Sequence, residues 1–92
     1  MARSNQRRCV YCGSHDSPTI DHVVPLSRWR EVGVRRRVLD NASNRVVACL
    51  QCNQEKGAML PQEWFDLHPE YRERFVKKAK YISNLVKEIA GL

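Results

Sequence analysis

Two short repeats set the terms on which this chain can fold. Cys9-Val-Tyr-Cys12 and Cys49-Leu-Gln-Cys52 have the same form and hold all four cysteines of its 92 residues. A chain of that length lies near the margin for burying a self-sufficient core, so a covalent or metal staple is expected. Each CxxC can wrap a turn around one metal ion, and two such knuckles complete a tetrahedral site of four thiolates. Gly13, directly after the first pair, suits the tight turn that a knuckle needs. The 36 residues between the pairs exceed the usual finger spacing, so something folded must occupy the gap. Two disulfides are the rival reading. They call for an oxidising compartment, whereas Met1 to Arg8 lacks the apolar stretch of a secretory signal. A structural zinc in an intracellular, cytoplasmic protein is the expectation, with metal binding supplying part of the folding free energy.

Charge narrows the class of partner. Sixteen Lys plus Arg against ten Asp plus Glu leave a formal +6, with a pI near 9.5. The imbalance sits in residues 1–37, where eight Arg face only Asp16, Asp21 and Glu31, a net +5. Lys appears only from Lys56 onward. The guanidinium fork suits phosphate bidentately, so an Arg-rich half can face a polyanion, or can simply be a solvated basic surface. The longest uncharged run, Val46 to Gln54, is too short and too polar to cross a bilayer.

The remaining pattern lies beside the knuckles. Thr19-Ile20-Asp21-His22-Val23-Val24-Pro25 reads as a short strand ended by Pro25, and Asn44 to Leu50 reads as a second strand. Asn53-Gln-Glu-Lys56 reads as the first turn of a short helix, with Gly57 near its end. In order, Asp21-His22-x-x-Pro25, then Asn44, then Cys49-x-x-Cys52-Asn53-x-x-Lys56-Gly57 closely resembles the HNH endonuclease family in its small, zinc-stapled bacterial or phage form. The likeness covers about residues 9 to 57. It implies an α+β fold of the small ββα-metal (His-Me finger) type with a four-cysteine zinc site. Residues 1–60 would form that nuclease core, and residues 61–92 a C-terminal helical extension of the same domain.

The chemistry also follows from the residue types. Cutting a phosphodiester needs an activated water, an electrophile to offset charge on the phosphate, and a means of orienting both. A histidine side chain, with an ordinary pKa of about 6.5, suits the general base, and His22 is that candidate. Asp21 is a hard oxygen ligand for Mg2+ or Mn2+, and Asn53 offers an amide oxygen as a second ligand. Asn44 could accept the other ring N–H of His22 and fix its direction. The resemblance implies the same roles for these four residues. The family's final His is Asn53 here, which tilts metal preference toward hard ions. One difficulty is local. Asp21 and His22 are adjacent, and neighbours on a regular strand point to opposite faces. The reading is a metal-dependent DNA endonuclease, with RNA left open and a non-catalytic zinc-stabilised nucleic-acid-binding module as the alternative.

Leu26 to Val38 is longer and more basic than the Gly-rich loop often found there in the family. Trp29 is expected in the core, with Arg28, Arg30, Arg35, Arg36, Arg37 and also Lys56 facing DNA. His15 and His68 have no motif partner. Pro61-Gln-Glu63-Trp64-Phe65 reads as a helix start with Pro at its first position. From Pro69, the apolar residues Tyr71, Phe75, Ala79, Ile82, Leu85, Val86 and Ile89 recur at spacings of three and four. An amphipathic helix of about twenty residues is expected, either folded back on the core or forming a homodimer interface.

Overall fold

The structure, a computed structural model, describes residues 8–92. Arg3 and Arg7, part of the Arg-rich half, lie outside the described residues. Two strands, β1 (Pro18–His22) and β2 (Arg45–Cys49), pair antiparallel with Ile20 opposite Val47, Asp21 opposite Val46 and His22 opposite Arg45. Side chains alternate along each strand, so Thr19, Asp21, Val46 and Ala48 share one face, and Ile20, His22, Arg45 and Val47 share the other. The first face is the inner one. Asp21, Val46 and Ala48 are buried there, while Ile20 on the outer face is 59% exposed.

Between the strands, the chain makes helical turns rather than an open loop: α1 (Trp29–Val32), α2 (Arg36–Leu39) and two single 3-10 turns, Leu26–Arg28 and Ala42–Asn44. Leu39 anchors this excursion in the core. Trp29, expected in the core, packs against it half-buried, and the Arg30 guanidinium lies 4.9 Å from its ring centroid. Next, α3 (Leu50–Lys56) starts three residues earlier than the sequence suggested. Its N-cap is Cys49, whose sulfur accepts the amide N–H of Cys52, so the second knuckle is itself the start of the helix.

The C-terminal third closes the core. As expected from Pro61, α4 (Pro61–Leu67) begins with proline at its first position, and the Glu63 carboxylate accepts the N–H of Leu60 at 2.8 Å. The expected twenty-residue helix is two helices, α5 (Pro69–Lys78) and α6 (Asn84–Ile89). Ser83 caps α6 by accepting the N–H of Val86. The apolar stripe nevertheless runs through the break, because Phe75, Ala79, Ile82 and Val86 are all buried in one cluster with Val23, Leu39 and Val46. The stripe that suggested a dimer interface is therefore occupied within the chain.

Tyr11, inside the first knuckle, joins the two halves. It is wholly buried, stacks on Phe75 with centroids 5.8 Å apart, and meets Trp64 edge-on at 5.6 Å. Aromatic pairs of this geometry add about 0.5–1.5 kcal/mol each beyond the area they bury. No helix among the described residues is long and apolar enough to cross a membrane.

Candidate metal centre and strand-end site

The four cysteine sulfurs lie within 4.8 Å of one another, and among the described residues this is the one such cluster of three or more His, Cys, Asp or Glu side chains. The Sγ atoms of Cys12 and Cys49 are 3.6 Å apart. A tetrahedral zinc site with Zn–S bonds of about 2.3 Å places its sulfurs about 3.8 Å apart, whereas a disulfide needs about 2.05 Å. The spacing fits four ligands around one ion and not two bridges. The backbone supports it: the N–H groups of Tyr11 and Cys12 point at the Cys9 sulfur, at 3.4 and 3.5 Å. Burial would raise the Cys9 thiol, but such amide donors, chiefly that of Cys12, outweigh it and hold the pKa down. Burial raises Cys52, and the charge of Cys9 adds to that rise, as expected where crowded sulfurs cannot all ionise without a cation among them. The donor set, soft, converging and largely buried, fits a structural zinc.

The inner face of the sheet holds the second feature. Asp21 is 5% exposed, and its Oδ2 accepts from the Tyr11 hydroxyl at 2.7 Å and lies 3.2 Å from Lys56 Nζ. Burial, and then the charge of Asp21, push the Tyr11 pKa well above its ordinary value, so the hydroxyl remains a donor. Lys56, at the end of α3, is wholly buried and also donates to the backbone carbonyls of His22 and Val23, at 3.0 Å each. The expectation that Lys56 faces DNA is thus corrected: its ammonium neutralises a buried carboxylate and holds two carbonyls at the end of β1. Burial lowers its pKa, against the opposing attraction of Asp21.

Asn44 is also corrected. Its side chain does not support His22 directly. It accepts the N–H of Val24 at 2.9 Å and donates to the carbonyls of Val24 and Leu39, at 3.0 and 2.9 Å. Its backbone carbonyl accepts the N–H of Val23. Fully buried, Asn44 pins the two residues after His22 against the end of the excursion. Asn53 lies inside α3, where its Nδ2 donates to Thr19 Oγ1 at 2.8 Å and to the Ile20 carbonyl.

His22 lies on the outer face, opposite Arg45. Its Nε2 is buried without a hydrogen-bond partner, 3.7 Å from Asp40 Oδ1. Asp40 also meets Arg45 Nη2 at 3.4 Å, so one carboxylate stands between the two members of a cross-strand pair. Asp40 and Tyr11 are the site residues that sequence reading missed. Neither belongs to the quoted motif, although Tyr11 stands between two recognised ligands.

The expected divalent site is only partly assembled. Asn53 Oδ1 makes no hydrogen bond within the described residues, and it suits a hard ion. Asp21 does not fit as placed, because both of its oxygens face Tyr11 and Lys56 on the side of the sheet away from His22. The alternation of a regular strand holds to its last residue, and it separates the expected ligand from the expected base.

The arginines divide as well. Arg28 binds Glu31 and Glu63 and donates to the Ala58 carbonyl, so it fastens the excursion to α4 rather than facing DNA. Arg30, Arg35, Arg36 and Arg37 are exposed.

A sequence model of the HNH endonuclease family matches residues 9–59, from the first of the four clustered cysteines to just beyond α3. No curated protein matches the chain. The match spans more than half of the chain and takes in both knuckles, both strands and the strand-end histidine, and on that basis the chain belongs to the HNH endonuclease family.

Proposed function

We propose that this chain is a DNA endonuclease that hydrolyses phosphodiester bonds with His22 as general base. One observation carries the reading: a strand-end imidazole, part-exposed and free of hydrogen bonds among the described residues, whose buried Nε2 lies 3.7 Å from Asp40, on the sheet face that also presents Arg45. An imidazole in that setting can take a proton from water at its other ring nitrogen, the one turned away from Asp40. The water oxygen then attacks phosphorus as the bond to the 3′-oxygen breaks, leaving a 5′-phosphate. The proton passes to the departing oxygen. Arg45, exposed opposite His22 and 3.4 Å from Asp40, would offset charge on the phosphate. Asp40 would hold the ring's direction, and Asn44 would act at one remove by fixing Val23 and Val24. A divalent ion, when bound, supplies a Lewis acid for the phosphate and leaving oxygen. Asn53 offers it an oxygen, whereas Asp21 would first have to release Lys56. A single site cuts one strand, so the monomer is expected to nick.

A second reading, a zinc-stabilised module that binds nucleic acid without cutting it, is favoured by one feature: the carboxylate expected to hold the ion is already neutralised. An end-labelled duplex incubated with the zinc-loaded protein and Mg2+ or Mn2+ separates the two. Fragments with 5′-phosphate ends, absent with His22→Ala, support the endonuclease. Salt-sensitive binding with no fragments sinks it in favour of the binding module.

A further inference from the structure

A second basic feature lies away from the strand-end site. Arg8, Arg74, Lys78 and Tyr81 line a cavity of about 490 Å³ together with Cys9, Gly13 and Val47. Two distant parts of the chain build it, the entry to the first knuckle and the α5 end of the C-terminal extension. Gly13 is in the left-handed region at φ +81°, and a Cβ built on it would stand 2.8 Å from an Arg74 guanidinium nitrogen. The absence of a side chain there is what lets Arg74 lie against the knuckle.

The three cations have no carboxylate partner, although the thiolate cluster reaches the cavity through Cys9. No acidic side chain among the described residues comes within ion-pair distance of Arg8, Arg74 or Lys78. Arg28, by contrast, has two carboxylates. Three like charges around one cavity repel each other, and an anion that enters relieves that repulsion. Tyr81, 58% exposed, adds an aromatic edge to the rim. The cavity also has a direction. Val47, on its wall, shares the outer sheet face with His22 and lies two residues along β2 from Arg45, the strand partner of His22. That separation is about 7 Å along a strand. A nucleic-acid strand crossing the outer face would meet His22 at one end and the ring of cations at the other.

We infer that this cleft is a second phosphate-contact site, taking a backbone phosphodiester of the nucleic-acid strand that reaches His22. The inference rests on the nuclease reading and adds to it a role for the C-terminal extension: α5 supplies two of the three cations.

The test is duplex binding over a range of salt concentrations in a His22→Ala background, so that no cutting intervenes. Arg74→Gln with Lys78→Gln is set beside Arg72→Gln with Lys80→Gln, which removes the same charge from exposed positions outside the cavity. Each phosphate contact contributes about 0.9 to the slope of log K against log salt. With one phosphodiester in the cleft, the cleft double variant should therefore be shallower by about 0.9, with the other double variant close to its parent. Equal slopes for the two double variants, or no change in either, would overturn the cleft while leaving DNA binding intact. Failure of the parent to bind duplex at all would sink the nuclease reading and the cleft with it. Inorganic phosphate provides the last arm. If phosphate binding is lost in the cleft variant while duplex affinity stays unchanged, the cavity serves free phosphate, and the assignment to a strand is wrong.

Discussion

The two faces of one short hairpin do opposite work. On the inner face, Asp21 and the polar groups that touch it are all paired. The carboxylate meets a hydroxyl and an ammonium, and that ammonium meets two carbonyls besides. On the outer face, one residue further along the same strand, the His22 Nε2 has no hydrogen-bond partner, and its nearest neighbouring charge stands 3.7 Å away. A satisfied buried network fixes a structure, because leaving any member unpaired is costly. A part-exposed ring that makes no hydrogen bond is available for chemistry. The lesson is that adjacency in the motif does not mean adjacency in role: Asp21 reads as structural and His22 as reactive because the strand turns them to opposite sides.

The contrast can be broken in stages. The largest effect should come from below both faces. Stripping the metal with a chelator, or making Cys52→Ser, should unfold the chain, since structural zinc in small domains contributes about 10–16 kcal/mol of apparent binding free energy to folding. Circular dichroism against measured zinc content checks this, and a chain that stays folded without metal would show that the aromatic core around Tyr11 suffices. Next is the inner face alone. Lys56→Met leaves Asp21 buried beside only a hydroxyl and frees two carbonyls, and it should cost about 3–5 kcal/mol in urea unfolding. A loss below 1 kcal/mol would mean that Asp21 reaches water or another cation. Asn44→Ala strands one N–H and two carbonyls at the end of β1. At about 1–3 kcal/mol for each unsatisfied buried group, with partial relaxation, a loss of about 3 kcal/mol is expected.

The smallest effect belongs to the surface cluster. Arg28, chiefly by hydrogen bonding, holds Glu31 and Glu63 below the ordinary carboxylate range, with the Leu60 N–H helping at Glu63. Their folded-state pKa values are depressed, so their contribution is fully present above the unfolded value of about 4.3–4.5 and is lost as pH falls through the folded values. Arg28→Met should therefore lower the thermal midpoint modestly near neutrality, with the two curves converging in acid. A constant gap down to pH 3 would remove the ion pairs from the explanation.

Much of the frame was legible in the residues. Matching CxxC pairs converge because two knuckles and one ion satisfy each other locally. Both strands were marked by β-branched runs, and Pro61 opens α4 where its missing N–H does no harm. What was not legible depends on partners far along the chain. Alternation separates Asp21 from His22, but only the packing of α3 decides which of them is buried. Lys56 looks like any surface lysine until its end of the helix lands on β1. Arg28 meets Glu63 35 residues away, and its preference for DNA could not be weighed against a partner unseen. The break between α5 and α6 was hidden for another reason. The turn residues Ala79 and Ile82 keep burying into the same cluster, so the spacing of three and four persists where the helix does not. The signal that marks the break is Ser83 before Asn84, an N-cap inside an otherwise continuous stripe.

The division of labour between the two faces comes down to His22. Nicking of supercoiled plasmid and the thermal midpoint should be measured together on the wild type and on His22→Ala, with zinc content matched. The expected result is a fall in rate of about 10²-fold or more with the midpoint essentially unchanged, since a general base contributes about 10²–10⁴ to rate and the ring makes no hydrogen bond that stabilises the fold. Unchanged nicking would contradict the assignment of the base. A fall in midpoint that tracks the loss of rate would place His22 with Asp21, as part of the structure rather than its chemistry.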